Sequence, residues 1–395
     1  DLHVNLDGSL RLETLIDLAQ KSDVELPAYT IQGLKDTVFK KQYRNLQEYL
    51  HPFRYTVAVM QNPEALERIA YEFAWDNMDE GVYYVEVRFA PQLHVNENQD
   101  METVLKAVDS GMKRAQIEQN TEAAVLAGEE PRFEYGIIVS ALRQFQAMYS
   151  EYYRQLYEVH RFTAPRKIYP LASLELAKAA VLLRDKYALP IVAFDLAGEE
   201  VGYPAEHHWE AFEHAHRHFL KKTVHAGEAY GPESIFQAIT ELNADRIGHG
   251  YYLFQVGSIQ DKRIQDRYKY VRDLAEYIAD RRITIEVCLT SNMQTNPKLK
   301  NLSNHAFKRM RRSNLSTTFC TDNRTVSSTS VTDEIHLAAN TFGLRKRELK
   351  DIIIYGFKRS FFPGSYQEKR NYVRNIINHY QRVEKNQFKR IEPKL

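Results

Sequence analysis

Several short apolar runs in this sequence end in residues that bind metals or transfer protons. His3 and Asn5 are two residues apart, so in a strand their side chains point to the same face. His225 and Asp322 end other apolar runs and could complete the same site. Imidazole and carboxylate groups suit Zn²⁺ or a similar divalent ion, which lowers the pKa of a bound water. The sequence therefore predicts a site for one divalent ion that activates water.

Two further residues are placed for proton transfer. Glu228 lies three residues after His225, beyond the predicted strand end, which favours an acid or base over a metal ligand. His249 stands between Gly248 and Gly250, so its ring can approach a reacting centre closely. A single histidine at a strand end is usually structural, and a single aspartate there is usually a helix N-cap. The recurrence of such residues after most of the runs favours a shared site over these separate interpretations.

The elements that must position these residues alternate along the chain. Eight runs rich in Val, Ile, Tyr and Phe are nearly continuously apolar, as expected of parallel strands buried on both faces. We predict strands at Leu2–Leu6, Tyr83–Phe89, Phe133–Val139, Ile191–Leu196, Thr223–His225, Arg246–His249, Ile283–Cys288 and Thr317–Cys320. Strands that alternate with helices in this way predict a TIM-like (β/α)8 barrel with additional helices. An open doubly wound sheet is the main alternative, and no G-x-G-x-x-G segment follows the first strand to support it.

The sequence between the runs is mostly helical in pattern. Apolar residues recur at helical spacing in Pro63–Met78, Ser173–Lys186 and Asp266–Arg281, which predicts a helix in each. Met101–Glu130 is predicted to be one long charged helix. Gln144–Tyr169 is rich in Tyr and Arg and is predicted to be an insertion or an extended loop.

The composition limits the classes of function. The chain has 395 residues and a net charge of +1, so no strong field for nucleic acid or an anionic membrane is expected. Cys288 and Cys320 lie in apolar runs and are predicted to be buried thiols. No apolar run reaches the ~18 residues that a membrane span needs, and no signal peptide is visible, which predicts a cytoplasmic location. Residues 1–395 are expected to form one domain with a polar tail from about residue 382; the oligomeric state stays open.

The polar segments also carry the motifs of a known family. Together they resemble the adenosine deaminase family, within the amidohydrolase superfamily, over about residues 1–380. The family's first motif is usually H-x-H-L-D-G, and a T-D-D or T-D-N motif stands near its last strand. The matching segments here are His3–Gly8, Asn45–Phe53, Glu86–Pro91, Asp195–Glu200, Val224–Glu228, Arg246–Gly250 and Thr321–Asn323. Asn45–Phe53 resembles the helical lid over the nucleoside, although an ordinary amphipathic helix explains it equally well.

The resemblance implies a metal site and an acid. Zinc, or another divalent ion, would be held by His3, His225 and Asp322, with Asn5 at the remaining ligand position. Glu228 would protonate the purine ring nitrogen beside the attacked carbon.

The resemblance also implies a substrate and its contacts. His249 would orient the zinc-activated water and act as a base or an electrostatic stabiliser. Asp7 would contact the ribose, the Gly198 backbone N–H the purine, and Asn323 another ring nitrogen, with Asn5 a further candidate contact. The implied reaction converts adenosine or 2′-deoxyadenosine into inosine or 2′-deoxyinosine and ammonia. Another 6-aminopurine is the alternative substrate.

Two residues depart from the family pattern. Asn323 replaces the commoner second aspartate, a variation expected within the family. Asn5 stands where the family has a metal-binding histidine, and a neutral amide oxygen is a weaker ligand for zinc than imidazole. Three explanations stay open: an engineered substitution, a natural variant with a weakened site, or a nucleoside-binding relative that has lost catalysis. The other catalytic residues are intact, which favours an active fold with a modified first-strand ligand.

Overall fold

Parallel strands, hydrogen-bonded in chain order, form one curled sheet. The computed structural model describes residues 1–391, and within them the sheet has eight strands. The strands are β1 Val4–Asn5, β2 Tyr84–Phe89, β3 Glu134–Leu142, β4 Ile191–Ala197, β5 Lys221–Ala226, β6 Arg246–His249, β7 Thr284–Val287 and β8 Thr317–Phe319. A parallel bridge pairs Val4 with Asp322 and joins the segment after β8 to β1. This is the TIM-like barrel that the sequence predicts.

Burial on both faces explains why the strands are so apolar. Val87, Ile137, Val224, Ile247 and Ile285 are fully buried, each in a different strand. Helices cover the outer face of the sheet, and side chains from opposite strands fill its interior, so neither face meets water. The strand ends that carry the polar residues then converge at one mouth of the barrel.

The helices surround the sheet. They are α1 Leu12–Lys21, α2 Ile31–Thr37, α3 Leu46–Tyr49, α4 Phe53–Ala58, α5 Pro63–Asp79, α6 Met101–Asn120, α7 Ala123–Leu126, α8 Glu151–Val159, α9 Pro165–Tyr187, α10 Trp209–Arg217, α11 Pro232–Thr240, α12 Arg267–Arg281, α13 Leu289–Thr295, α14 Phe307–Arg312, α15 Val331–Phe342, α16 Lys346–Arg359 and α17 Tyr366–Ile391. Within residues 1–391, no helix is both long enough and apolar enough to cross a membrane.

Local signals in the sequence set several helix starts. The Asn62 side chain accepts a 2.8 Å hydrogen bond from the Ala65 N–H, and Pro63 occupies the first turn of α5. The Asp266 side chain accepts a 2.9 Å hydrogen bond from the Lys269 N–H at the start of α12. Such caps satisfy backbone donors that have no partner within the helix. The predicted helices Pro63–Met78 and Asp266–Arg281 therefore match the structure closely.

Two predictions of helix extent are wrong, and one segment contains helices that the sequence does not predict. The charged segment Met101–Glu130 is not one helix, because α6 ends where the Asn120 side chain bonds the backbone of Phe133, accepting at 2.8 Å and donating at 3.0 Å. Of the two alternatives predicted for Gln144–Tyr169, an insertion or an extended loop, the extended loop is wrong, since the segment contains α8 and the start of α9. The helix predicted at Ser173–Lys186 begins instead at Pro165, because proline is well suited to a first helical turn.

Strand bounds also differ from the predictions. The first strand is only Val4–Asn5, so His3 lies just before it. Strand β3 continues to Leu142, and β5 begins at the exposed Lys221. The next residue, Lys222, can be buried in the strand because its ammonium group lies 3.1 Å from the Asp245 carboxylate. The polar tail predicted from residue 382 is in part helical, since α17 runs to Ile391, and residues 392–395 lie outside the described residues. Cys288 and Cys320 are buried free thiols, as predicted.

Candidate active site

Four of the predicted site residues meet at one mouth of the barrel. One ligand atom from each of His3, His225, His249 and Asp322 lies within 4.8 Å of the others, and all four residues are buried. They come from the start of β1, from β5, from the end of β6 and from just after β8. Residues 319 apart in sequence thus share one site only because the barrel brings its strand ends together.

The free nitrogen atoms of this cluster fit a metal ion. Nε2 of His3 and Nε2 of His249 are buried and have no hydrogen-bond partner among residues 1–391. His3 Nε2 lies 3.3 Å from Asp322 Oδ1. Buried polar atoms are rarely left without a partner, and imidazole and carboxylate groups are the ligands that zinc prefers. His3, His225 and Asp322, with His249 beside them, could therefore hold one divalent cation.

Two of these residues adopt a strained backbone conformation. His249 has φ of 66° and Asp322 has φ of 62°, in the left-handed region that L-residues rarely occupy. Each such residue costs about 1–3 kcal/mol, and it persists only where the surrounding structure holds it. Two hydrogen bonds hold the Asp322 backbone in place. Its N–H donates to the His3 carbonyl at 2.9 Å, and its carbonyl accepts from the Asn5 N–H at 2.7 Å.

Two carboxylates orient the imidazole rings of His3 and His225. The His3 Nδ1–H donates to Glu286 at 2.8 Å, and the His225 Nδ1–H donates to Asp195 at 3.1 Å. When Nδ1 carries the proton in this way, Nε2 keeps its lone pair for a metal ion. The sequence predicts neither contact, because Glu286 lies inside an apolar run and Asp195 was noted only as part of a motif.

Two buried arginines neutralise these carboxylates. Arg88 Nη2 donates to Glu286 at 3.0 Å, and Arg246 Nε donates to the same carboxylate at 2.7 Å. Burial opposes the ionisation of Glu286, but the two guanidinium groups outweigh it and hold its pKa well below the usual range. Burial likewise opposes the ionisation of Asp195, yet the charges of His225 and Arg88 lower its pKa to about 2. The polar layer under the site is therefore ionised and internally paired.

The candidate acid Glu228 has the opposite electrostatic character. It is buried, and its pKa is raised well above the usual range, first by burial and then by the negative charges of Asp322 and Glu200. Its Oε2 lies 3.8 Å from His249 Nε2. Burial also lowers the pKa of His249 well below its usual value. Burial therefore favours the uncharged form of both side chains.

The loop that carries Glu228 is fixed by another carboxylate. Glu200 accepts hydrogen bonds from the backbone N–H groups of Gly227, Glu228, Ala229 and Tyr230, at 2.6, 3.1, 2.7 and 2.9 Å. Four backbone donors on one carboxylate hold this turn in a single conformation. The sequence assigns no role to Glu200, although its place in the Asp195–Glu200 motif marks it.

Tyr49 is a contact that the sequence does not predict. Its hydroxyl lies 3.3 Å from Asp322 Oδ2 and 2.7 Å from Ser327 Oγ, and it accepts a 2.8 Å hydrogen bond from Asn323 Nδ2. Asn323 packs tightly against Gly8, where a Cβ atom would come within 1.9 Å of Asn323 Oδ1. Gly8 is therefore required by a close approach rather than by its own backbone angles.

Asn5 reaches the cluster through its amide nitrogen. Nδ2 donates to the Asp322 carboxylate at 2.8 Å and to the Asp322 carbonyl at 3.0 Å. A carbonyl oxygen can only accept a hydrogen bond, so the nitrogen and not the oxygen of the amide faces Asp322. Asn5 therefore contacts the metal-site carboxylate through an atom that cannot itself bind a metal ion.

A cavity of about 900 Å³ opens above the cluster. Asp7, Gly198 and Asn323 line it together with His225, Glu228, His249 and Asp322, so the structure brings all of the predicted substrate contacts to one space. Burial raises the pKa of Asp7 to about 7. Helices α3 and α4 form one wall through Leu46, Tyr49, Leu50 and Phe53, where the sequence resembles a lid.

Comparison with known proteins identifies the family. The family model for adenosine deaminase matches residues 1–133 and 158–379. The chain belongs to the adenosine deaminase family. Adenosine deaminase from Mycobacterium avium is 34% identical over 366 residues, which are 92% of this chain and 90% of that protein. Adenosine deaminase from Mycobacterium tuberculosis is 35% identical over 366 residues, with 92% and 89% covered.

Solved structures of other deaminases share the fold of this family member. Adenine deaminase from Arthrobacter aurescens superposes with a TM-score of 0.73 at 19% identity, covering 96% of this chain and 98% of that one. The N6-mAMP deaminase of Arabidopsis gives a TM-score of 0.72 at 22% identity, with 96% of each chain covered. A Burkholderia ambifaria amidohydrolase with bound Zn gives 0.73 at 18%, with 98% and 91% covered. As a deaminase-family member, the chain is a hydrolase that acts on purine C–N bonds.

The family match leaves out residues 134–157 of this deaminase-family chain. That stretch includes β3 and most of α8, and its residues Gln144, Gln146, Met148 and Tyr149 line the cavity. The composition of the sequence predicts an insertion or an extended loop in this region, but it gives no sign that these side chains face the site. This part of the cavity wall is therefore not described by the family motifs.

Proposed function

We propose that this protein deaminates adenosine or 2′-deoxyadenosine by hydrolysis, producing inosine or 2′-deoxyinosine and ammonia. The observation that carries the proposal is the position of Glu228, a buried carboxyl group whose Oε2 lies 3.8 Å from His249 Nε2, beside the cluster of His3, His225, His249 and Asp322. An acid next to a set of metal ligands, at the closed end of a cavity, suits the addition of water to an aminopurine.

The metal site is proposed to consist of His3, His225 and Asp322, with zinc as the expected ion. When bound there, such an ion supplies a positive charge that lowers the pKa of water. Asp195 and Glu286 hold two of the imidazoles in the tautomer that leaves Nε2 free. We assign Asn5 to the same site through Asp322, because its amide nitrogen fixes the orientation of that carboxylate.

Three residues of the chain are proposed to carry out the proton transfer and to position the reacting atoms. Glu228 donates its proton to the ring nitrogen beside the attacked carbon, which makes that carbon more electrophilic. His249 contacts the attacking oxygen as a base or as a hydrogen-bond donor. The second N–H of the Asn323 amide is free to donate to another ring nitrogen, since only one of its two N–H bonds is used by Tyr49.

The rest of the cavity is proposed to hold the nucleoside. The Gly198 backbone N–H contacts the purine, and Asp7 contacts the ribose. Closure of α3 and α4 over the base would exclude water from the reacting atoms, which strengthens every charge interaction there.

The test is a combined measurement of metal content and turnover on the purified protein. Adenosine, 2′-deoxyadenosine, adenine and AMP are each followed by ultraviolet absorbance and by ammonia release. Highest kcat/KM with a nucleoside, together with about one bound zinc per chain, supports the proposal. A higher kcat/KM with adenine or AMP would show that this compound, and not a nucleoside, is the substrate. Binding of metal and adenosine without ammonia release would identify a nucleoside-binding relative.

A further inference from the structure

A chain of buried hydrogen bonds leads from the protein backbone to His249. The Phe307 N–H donates to His305 Nδ1 at 3.0 Å. His305 Nε2 lies 3.1 Å from Asn292 Oδ1, and Asn292 Nδ2 lies 3.2 Å from His249 Nδ1. Asn292, His249 and His305 are all buried, with 1% or less of each exposed. No step of the proposed function uses Asn292 or His305.

The backbone end of this chain fixes the tautomer of His305. A backbone N–H can only donate, so His305 Nδ1 must present its lone pair to Phe307. The neutral His305 ring then carries its proton on Nε2, and burial keeps it neutral by lowering its pKa to about 3. His305 Nε2–H therefore donates to its neighbour Asn292.

The same rule of one donor for each acceptor fixes the orientation of the Asn292 amide. An amide oxygen can only accept, so Oδ1 faces the His305 proton and Nδ2 faces His249. The opposite amide orientation would place two donors against each other and leave buried groups unsatisfied. His249 Nδ1 therefore accepts, and the proton of the neutral His249 ring lies on Nε2.

The Nε2 atom of His249 is the one that faces the reacting centre. It is buried, it has no hydrogen-bond partner among residues 1–391, and it lies 3.8 Å from Glu228 Oε2. This geometry also differs from that of His3 and His225, whose Nδ1 atoms face carboxylates and whose Nε2 atoms are free for a metal ion. The three imidazoles of the cluster are thus held in two different tautomers.

Resting on the proposed function, we propose that Asn292 and His305 are positioning residues that hold His249 as its Nε2–H tautomer, so that His249 donates a hydrogen bond to the attacking oxygen. A ring in this tautomer has no lone pair on the atom that faces the site, so it cannot take a proton there in the resting state. Its contribution is the stabilisation of negative charge as that charge develops on oxygen, in the manner of an oxyanion-hole donor. The choice between base and stabiliser is thereby made by residues that never touch the substrate.

The decisive variant is Asn292→Asp, which keeps the size of the side chain. A carboxylate in this position accepts from both neighbours, so it draws the His249 proton onto Nδ1 and leaves Nε2 without one. We expect kcat for adenosine to fall about 10²–10³-fold, the usual effect of losing one such donor. Zinc content and KM should change little. Asn301→Asp, an exposed substitution in the connection before α14, is the matched control and should change none of these quantities.

The tautomer itself is measured by ¹⁵N NMR of histidine-labelled protein with the metal removed, using His249→Gln to assign the signals. We expect a protonated Nε2 and an unprotonated Nδ1 for His249 in the parent protein, and the reverse in Asn292→Asp. A parent His249 protonated on Nδ1 would overturn the inference, and so would an Asn292→Asp protein that reverses the tautomer without losing rate. A parent protein that shows the Nε2–H tautomer but deaminates no aminopurine would retain the assignment of the tautomer and refute the proposed function instead.

Discussion

The side-chain nitrogen of Asn5 donates a 2.8 Å hydrogen bond to the Asp322 carboxylate, across 317 residues of sequence. This contact joins the first strand to the segment that follows the last one, at the point where the proposed metal ligands meet. The residue that departs most from the family pattern is therefore engaged with the site rather than turned away from it.

Substitution of Asn5 tests what this contact does for metal binding. Asn5→Ala removes a partner of the Asp322 carboxylate, and loss of such a supporting contact commonly costs 10–100-fold in metal affinity. Asn5→His supplies an additional imidazole, so we expect higher zinc affinity and higher deaminase activity. Competition with a chromophoric chelator measures affinity for the parent and both variants. Equal affinities in all three proteins would show that Asn5 has no part in the metal site.

Glu228→Gln removes the proposed proton donor while keeping the shape of the side chain. General acid catalysis contributes on the order of 10²–10⁴-fold, so we expect kcat to fall by that factor while zinc content and nucleoside affinity are kept. Because the pKa of Glu228 is raised, the parent enzyme should lose activity as pH rises through that pKa. A Gln variant that retains near-parental kcat would exclude Glu228 as the acid.

Glu286 links His3 to two buried arginines, so its replacement by a neutral residue should lower the free energy of unfolding. Glu286→Gln leaves Arg88 and Arg246 without their shared carboxylate, and breaking a buried ion pair typically costs about 3–5 kcal/mol. Thr223→Val removes only a neutral donor to the same carboxylate, for about 1 kcal/mol. Urea denaturation of the metal-free proteins compares the two. A smaller loss for Glu286→Gln than for Thr223→Val would contradict the paired-charge interpretation.

Glu334 should make stability depend on pH. Its carboxyl group accepts from the Leu289 N–H at 2.9 Å and from Thr329 Oγ1 at 3.0 Å, yet burial raises its pKa from 4.5 to about 7. The unfolded chain ionises this group near pH 4.5 while the folded protein holds the proton, so its stabilising contribution is full below pH 4.5 and is lost as pH rises to about 7.

The neutral variant Glu334→Gln provides the control for this effect. It cannot ionise, so the difference in Tm between the parent and the variant should shift against the parent between pH 5 and pH 7.5. Differential scanning calorimetry at several pH values measures that difference. A difference that stays constant across this range would mean that Glu334 is ionised in the folded protein.

Strand ends with strong local signals were the most predictable part of the fold. Arg246–His249 was predicted with the bounds that the structure shows, since glycine follows it directly. The first strand was predicted too long, because apolar character continues through Leu2 and Leu6 although pairing as a strand is confined to Val4–Asn5. Leu2 and Leu6 are buried although they lie outside the paired strand. The pattern of residue types indicates burial and does not show where strand pairing ends.

The cluster was predictable from the sequence, whereas its supports were not. His225 and His249 end predicted strands, Asp322 follows another, and His3 lies in the first. A parallel barrel brings such residues together. Tyr49 contacts Asn323 across 274 residues, and no spacing rule connects a helix to a strand at that separation. Contacts of this kind depend on how the helices pack over the barrel mouth.

The pairing of Val4 with Asp322 also fixes when this site can come into existence. A ribosome delivers His3 early and supplies Asp322 only 319 residues later, which takes on the order of 15–65 s at typical rates of synthesis. Until then a nascent chain has its imidazoles but lacks both the metal-site carboxylate and the partner of Asn5. The proposed metal site therefore lacks Asp322 until the segment after β8 has been synthesised, and a chain truncated before β8 would carry seven of the strands without this carboxylate.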